Sequence, residues 1–186
     1  MALNNEAVLK ISTAHFYTAP VDTPIPSGGT VSAAWEEMGH TPLTDILAIA
    51  FEGGDVTTLG SLQNPELRTA RTPRTATVNM SILQWDLPGR RLFLGSNAMQ
   101  DSAGRLGPAA NPTPTKTAVY ILIEDGDNYM DIVFPSTEII GAGDLALADT
   151  ESLAALPLAI TPLRKDANTA PFYVGGLQPR ELPDEG

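Results

Sequence analysis

Apolar and polar side chains alternate most clearly along one stretch, Thr75-Ala76-Thr77-Val78-Asn79-Met80-Ser81-Ile82-Leu83-Gln84-Trp85. Its apolar members are Val78, Met80 and Ile82, and the polar residues between and before them are Thr77, Asn79 and Ser81. Successive side chains of a β-strand point to opposite faces of its sheet. This period of two therefore predicts a strand with one face toward a core and one polar face.

A β-hairpin is predicted farther along the chain. A β-rich run at 118–123 leads into Glu124-Asp125-Gly126-Asp127, and a second β-rich run follows at 128–134. Asp-Gly between two such runs is typical of a tight hairpin turn, because glycine readily adopts the positive φ that the turn requires.

Other elements follow from local signals. Further strands are predicted at 7–18, 30–38, 54–62, 137–140 and 152–162. One helix is predicted after Trp85, because Asp86 is a typical N-cap, Pro88 lies in the first turn and Gly95 would end the helix. The segment 43–49 is ambiguous and is compatible with a short helical turn. Segments 63–75 and 103–116 contain prolines without periodicity and are predicted to be loops.

These elements predict a mainly β fold, an antiparallel β-sandwich or barrel with one flanking α-helix. A chain of 186 residues suits one well-buried domain. We expect this domain to cover residues 1–175. Residues 176–186 contain two prolines and few apolar side chains, which predicts a flexible C-terminal tail.

Charge is distributed unevenly along the chain. There are 22 acidic and 11 basic residues, a formal net charge of −11, which disfavours nucleic-acid binding because that binding uses Lys and Arg to displace counterions from phosphates. Residues 1–60 hold seven acids and one base, residues 61–116 three acids and seven bases, and residues 117–186 twelve acids and three bases. A basic segment between acidic ones suits contacts between copies of the chain, and simple solvation of the surface is the alternative.

No catalytic or metal-binding signature is present in the sequence. The absence of cysteine excludes disulfides, thiol catalysis and Cys-ligated metals. His15 and His40 belong to no catalytic or zinc motif, and the acids of the hairpin lack calcium-loop spacing. A glycosidase pair such as Glu36 with Asp55 would need a cleft lined with aromatic side chains, which the sequence does not indicate. We therefore expect no enzyme, no cofactor and no metal.

Seven short segments carry a family resemblance. In chain order they are FYTAPVDTPIP (16–26), AWEEMGHTPLTDIL (34–47), FEGGDVTTLGSLQN (51–64), LRT (67–69), RTAT (74–77), QWD (84–86) and LFLGSNA (92–98). Together they resemble the major tail protein of siphoviruses, the tail tube subunit of long non-contractile tails, particularly in phages of actinobacteria. The resemblance covers most of residues 7–98 and weakens afterwards, although the hairpin is also in place.

The resemblance implies a β-sandwich subunit whose copies form a ring, usually a hexamer, with one inner barrel shared by all subunits. Such rings stack into a tube. It further implies that the long loop after residues 59–64 reaches a neighbouring ring, so we expect Arg68, Arg71 and Arg74 to be interface cations. The alternative is that these arginines are solvated or pair within their own subunit. On the strand at 75–85, the candidates for the face that lines the lumen are Thr77, Asn79 and Ser81.

The function implied by the resemblance is structural. The protein would be made in the host cytoplasm and reside in the virion tail, where an acidic wall would let DNA pass without binding it. Implied partners are further copies of the chain, a tape-measure protein, and the tail terminator and distal tail proteins. The longest apolar stretches fall short of the roughly 20 residues that span a bilayer, so no membrane partner is expected. The alternatives are a terminator, distal tail or baseplate ring protein, and a virion-attached carbohydrate-binding or hydrolytic β-sandwich.

Overall fold

The structure is a computed structural model that describes residues 3–4, 7–44, 46–145, 147, 151 and 153–180. Within these residues it has thirteen strands and one helix. In chain order they are β1 (Thr13–Ala19), β2 (Glu36–Glu37), β3 (Ala48–Gly53), β4 (Val56–Leu59), β5 (Arg68–Arg71), β6 (Arg74–Ile82), α1 (Leu87–Leu94), β7 (Met99–Gln100), β8 (Leu106–Gly107), β9 (Thr115–Asp125), β10 (Asn128–Gly141), β11 (Leu156–Pro162), β12 (Tyr173–Val174) and β13 (Gln178–Pro179).

One antiparallel sheet organises the fold. Its strand order is β2-β1-β9-β10-β11-β6-β3, with β12 and β13 paired to β10. Two small sheets, β4-β5 and β7-β8, stand apart from it. Every pairing between these strands is antiparallel, which confirms the prediction of a mainly β, antiparallel fold with one flanking helix.

The β9–β10 hairpin is the centre of this sheet. Its turn contains Gly126 at φ +59°, as the Asp-Gly signal predicts. The register of the two strands shifts between Phe134 and Thr137. A β-bulge of this kind bends a strand and increases its twist. The strand predicted at 137–140 is therefore the continuation of β10 beyond the bulge.

The core lies inside the bent sheet. Central strand β9 is buried on both faces: Val119 and Ile121 belong to the main apolar cluster, and Tyr120 belongs to a second cluster with Trp35. Strands from distant positions in the sheet order contribute to the main cluster, for example through Phe16 of β1 and through these residues of β6 and β11: Val78, Met80, Ile82, Leu156, Leu158 and Ile160. The sheet thus curves around the main apolar cluster, and the predicted apolar face of residues 75–85 lies in that cluster.

Helix α1 begins and ends as the sequence predicts. The Asp86 side chain caps it by accepting the Gly89 N–H at 2.9 Å, and Gly95 follows its last turn at φ +99°. Leu92 and Phe93 pack against the main core. No helix in the described part of the chain is long and apolar enough to cross a membrane.

Four predictions from the sequence were wrong in detail. No helix forms near 43–49 in the described residues, because β3 begins at Ala48 and pairs with β6. The loop predicted at 63–75 contains β5, and the loop predicted at 103–116 contains β8. The strand predicted at 30–38 is reduced to Glu36–Glu37. In each case a pairing partner distant in sequence, or its absence, decided the local conformation.

The C-terminal segment contacts the β9–β10 hairpin. Gln178 and Pro179 pair with Tyr129 and Asn128. The Arg180 Nη1 atom lies 2.5 Å from Glu124 Oε1. Residues 181–186 lie outside the described residues, and the division into a domain of 1–175 and a tail of 176–186 stays a prediction.

Candidate assembly interface

A two-stranded arm leaves the rest of the fold between β3 and β6. We define the arm as residues 54–73 and the rest of the fold as the body. Within the arm, β4 pairs with β5 from Val56↔Arg71 to Leu59↔Arg68. Every residue of the arm except Gly54 is exposed. The arm therefore packs neither on a core of its own nor on the body.

The base of the arm is shaped by two glycines. Gly53 and Gly54 have φ values of +78° and +79°. A Cβ at Gly53 would lie 2.5 Å from the Pro73 carbonyl oxygen, so the turn away from the body requires glycine there. Beyond it, the Asp55 N–H donates to Thr72 Oγ1 at 2.9 Å, and the Thr72 N–H donates to the Asp55 carbonyl at 3.1 Å.

The tip of the arm is held by its own hydrogen bonds. The Ser61 N–H donates to the Asn64 carbonyl at 2.7 Å, and the Leu67 N–H donates to the Leu59 carbonyl at 3.1 Å. The Asn64 side chain accepts the Glu66 N–H at 3.1 Å. The arm is thus an ordered ribbon whose conformation depends on backbone pairing instead of burial.

Each face of the arm carries an apolar side chain beside a cation. Residues directly opposite in an antiparallel pair project to the same face. Val56 and Arg71 therefore share one face, and Leu59 and Arg68 share the other, because positions 68 and 71 differ by an odd number of residues. Leu62 and Leu67 at the tip are also exposed. Exposed apolar groups clustered in this way mark an interaction surface.

The three predicted interface arginines do not form one patch. Arg68 and Arg71 lie on opposite faces of the arm, and no described carboxylate lies within ion-pair distance of either guanidinium. Arg74 belongs to the body at the start of β6, where its Cζ atom lies 4.9 Å from the centroid of the Phe51 ring. This cation–π contact stabilises the root of the arm.

The three candidates for the lumen share one surface of the sheet. Thr77, Asn79 and Ser81 project from β6 away from the core, with small side chains opposite them on the neighbouring strands. We call this surface the small-residue face, and its members are Ala48, Ala50, Thr77, Asn79, Ser81, Pro157 and Ala159.

The small-residue face is much less acidic than the chain as a whole. Side chains alternate between the two faces of paired strands, so Glu52 projects to the small-residue face. Farther across the sheet Glu138 projects to the same side, directly opposite Lys116. Within β3, β6 and β11, no lysine or arginine projects to this side, because Arg74 lies on the other side of β6.

Strand β3 is a free edge of the sheet that sequence reasoning missed. It pairs with β6 on one side, and the described residues include no strand on its other side. A signal was available: Leu47, Ile49 and Phe51 alternate with small or acidic residues, and the first two pack on the core. The intervening alanines made the pattern equally compatible with a helix.

The structure brings together no group suited to catalysis among the residues named from the sequence. Glu36 lies on β2 at one end of the sheet order, whereas Asp55 lies on the arm that follows β3 at the other end. His15 Nδ1 lies 2.8 Å from Glu37 Oε1 on the surface. In the described part of the chain, no cluster of three or more His, Asp or Glu side chains could hold a metal ion.

Comparison with known proteins agrees with the sequence resemblance. The family described as phage tail tube protein matches residues 1–175, which include the arm and β6. The major tail protein Gp23 of Mycobacterium phage D29 is 32% identical, over 68% of this chain and 70% of that protein. Tail tube proteins are structural components of the virion and not enzymes. The chain belongs to the phage tail tube protein family.

Proposed function

We propose that this chain is the repeating subunit of a tail tube. Its copies would close into rings, with the six-fold symmetry that the resemblance implies, and the rings would stack into a conduit for DNA. The observation that carries the proposal is the arm. An isolated two-stranded hairpin is marginally stable in water, and this one exposes four large apolar side chains, Val56, Leu59, Leu62 and Leu67.

Docking of the arm onto another copy would stabilise the hairpin and bury its exposed apolar side chains. Full burial of one leucine side chain contributes roughly 1.5–3 kcal/mol. The arginines of the arm, which have no described acidic partner, would meet carboxylates of a chain whose net charge is −11. We therefore assign to the arm, with Arg68 and Arg71, the contact between stacked rings, and to Arg74 the support of its root.

The free edge of β3 supports the closure of neighbouring copies into one ring. A long exposed edge strand pairs readily with another chain, and closure of a sheet into a barrel removes such edges. Pairing of β3 with a strand of a neighbouring copy would extend the sheet around the ring. The small-residue face, with Thr77, Asn79 and Ser81, would then line the lumen.

The lumen chemistry would depend on the scarcity of cations and not on a strongly acidic wall. DNA phosphates bind where Lys and Arg displace counterions, and β3, β6 and β11 present neither on the small-residue face. A tape-measure protein would occupy the conduit before DNA, and terminator and distal tail proteins would close its ends. The subunit would be made in the host cytoplasm and reside in the virion tail.

Negative-stain electron microscopy of the purified chain across a concentration series tests this proposal. We expect hollow tubes of uniform width with an axial repeat. Isolated rings that never stack would assign the chain to the terminator, distal tail or baseplate role instead. A monodisperse monomer that stays unassembled even with tail-tip components present would overturn the proposal.

A further inference from the structure

A groove lies at the opposite end of β3 from the arm. The arm leaves the body beyond the Gly53↔Arg74 pair, whereas residues 40–44 and 46–47 precede β3 at its other end. The Leu83 N–H donates to the His40 carbonyl at 2.7 Å, which fastens this entering segment to the far end of β6. At about 3.3 Å per residue, the five steps from Ala48 to Gly53 separate the two features by roughly 17 Å.

The groove combines an apolar cavity with an acidic rim. The cavity has a volume of about 300 Å³, and its lining includes Ile11, Ala14, Ile46 and Leu47. Leu43 also lines the cavity and is 98% exposed to solvent. The adjoining part of the groove shares Ile11, Ala14 and Ile46 and adds the carboxylate of Glu37 beside His15.

One face of the arm matches this groove in chemistry. Leu59 and Arg68 are directly opposite each other, so an apolar side chain and a cation project side by side. The groove places an apolar cavity beside a carboxylate, the complementary arrangement. Complementary charge fixes the orientation of a contact, and burial of the apolar group supplies most of its free energy.

We propose that the Leu59–Arg68 face of one copy's arm docks into the groove of a second copy, with Leu59 in the apolar cavity and Arg68 against Glu37. This inference rests on the proposed function and specifies which surface receives the arm. Because arm and groove lie at opposite ends of β3, the contact is head-to-tail and leaves one free arm and one free groove. Such a heterologous contact propagates as an open stack.

Cysteine cross-linking tests the docking directly, since the natural chain has no cysteine. Leu59→Cys and Leu43→Cys subunits are mixed, assembled and treated with a short bismaleimide, and the product is resolved on a denaturing gel. We expect a covalent dimer. Val56→Cys mixed with Leu43→Cys is the matched control, because Val56 has the same 51% exposure as Leu59 but lies on the other face of the arm. The control pair should give little dimer.

Charge reversal provides a second test on intact subunits. Arg68→Glu should prevent stacking, and the added Glu37→Arg should restore it, whereas Glu37→Arg should not rescue Arg71→Glu, which lies on the opposite face. Circular dichroism of each variant verifies that the subunit is folded.

The outcomes of the two tests separate the docking from the proposed function. Tubes that form without the 59–43 cross-link, or that cross-link Val56→Cys equally well, overturn the docking and leave the tube function standing. Absence of both tubes and cross-links in every mixture overturns both, provided that the unsubstituted chain also stays unassembled with tail-tip components present.

Discussion

Among the described residues, Tyr120 is the largest side chain that is completely buried. Its hydroxyl donates to Asp131 Oδ2 at 3.3 Å. Burial in the apolar cluster, and secondarily the negative charge of Asp131, raises the pKa of Tyr120 well above its usual value of 10.0. The hydroxyl thus has a partner, and the ring is held against Trp35 with centroids 5.8 Å apart.

A pH dependence of stability follows from this raised pKa. Below pH 10 the phenol is protonated in both the folded and the unfolded chain. Above it the unfolded chain ionises while the folded chain resists, so we expect the free energy of unfolding to fall as the pH rises past 10. Tyr120→Phe should lose about 1 kcal/mol at pH 7 with its hydrogen bond and show a weaker alkaline decline. Urea denaturation at pH 7, 9 and 10.5 measures the loss at pH 7 and the alkaline decline. An alkaline decline as steep in Tyr120→Phe as in the unsubstituted chain would contradict the attribution of the decline to Tyr120.

The N-cap of α1 provides a test at the scale of an element. Asp86→Ala removes the acceptor of the Gly89 N–H and should destabilise the subunit by about 1 kcal/mol. Asp86→Asn is the matched control, because asparagine is an equally good N-cap. Thermal denaturation of the unassembled subunits measures the difference. Equal losses in the two variants would mean that the charge of Asp86, and not its capping oxygen, stabilises the helix.

The arm is the element on which the proposed stacking of rings depends. Replacement of residues 54–73 by a two-residue glycine-containing turn should leave the melting temperature of the body nearly unchanged, because the arm buries almost no side chain. The same variant should form rings at most and no stacked tubes. Electron microscopy and calorimetry on one preparation measure both effects. Normal tubes from the armless variant would show that rings stack through another surface.

For the whole molecule, exposure of the arm predicts where a protease cuts. In dilute subunits, trypsin should first cleave after Arg68 and Arg71, which lie on an exposed ribbon outside the core. Assembly should protect these two sites, whereas the body site at Arg105, also exposed, serves as an internal reference. Mass spectrometry of timed digests follows each cut. Equal cleavage after Arg68 and Arg71 before and after assembly would show that the arm stays free.

The sequence by itself determined the elements whose signals are local. The alternation of residues 75–85, the Asp-Gly turn of the hairpin and the Asp86 and Gly95 caps of α1 each depend on side chains and backbone within a few residues. Such signals are set by steric limits on φ, by nearby hydrogen bonds and by the period with which one face meets the core. For this reason these signals can be recognised in the sequence without knowledge of the fold.

Only the tertiary structure decided the rest. The arm is exposed on both faces, so β5 has no apolar period and reads as a loop in the sequence. The placement of Arg68 and Arg71 on opposite faces follows from the register of β4 with β5, and the free edge of β3 follows from its place in the sheet order. The groove near Leu43 brings together residues 11, 37 and 46. These features depend on pairing between residues far apart in the chain, and no local pattern encodes that pairing.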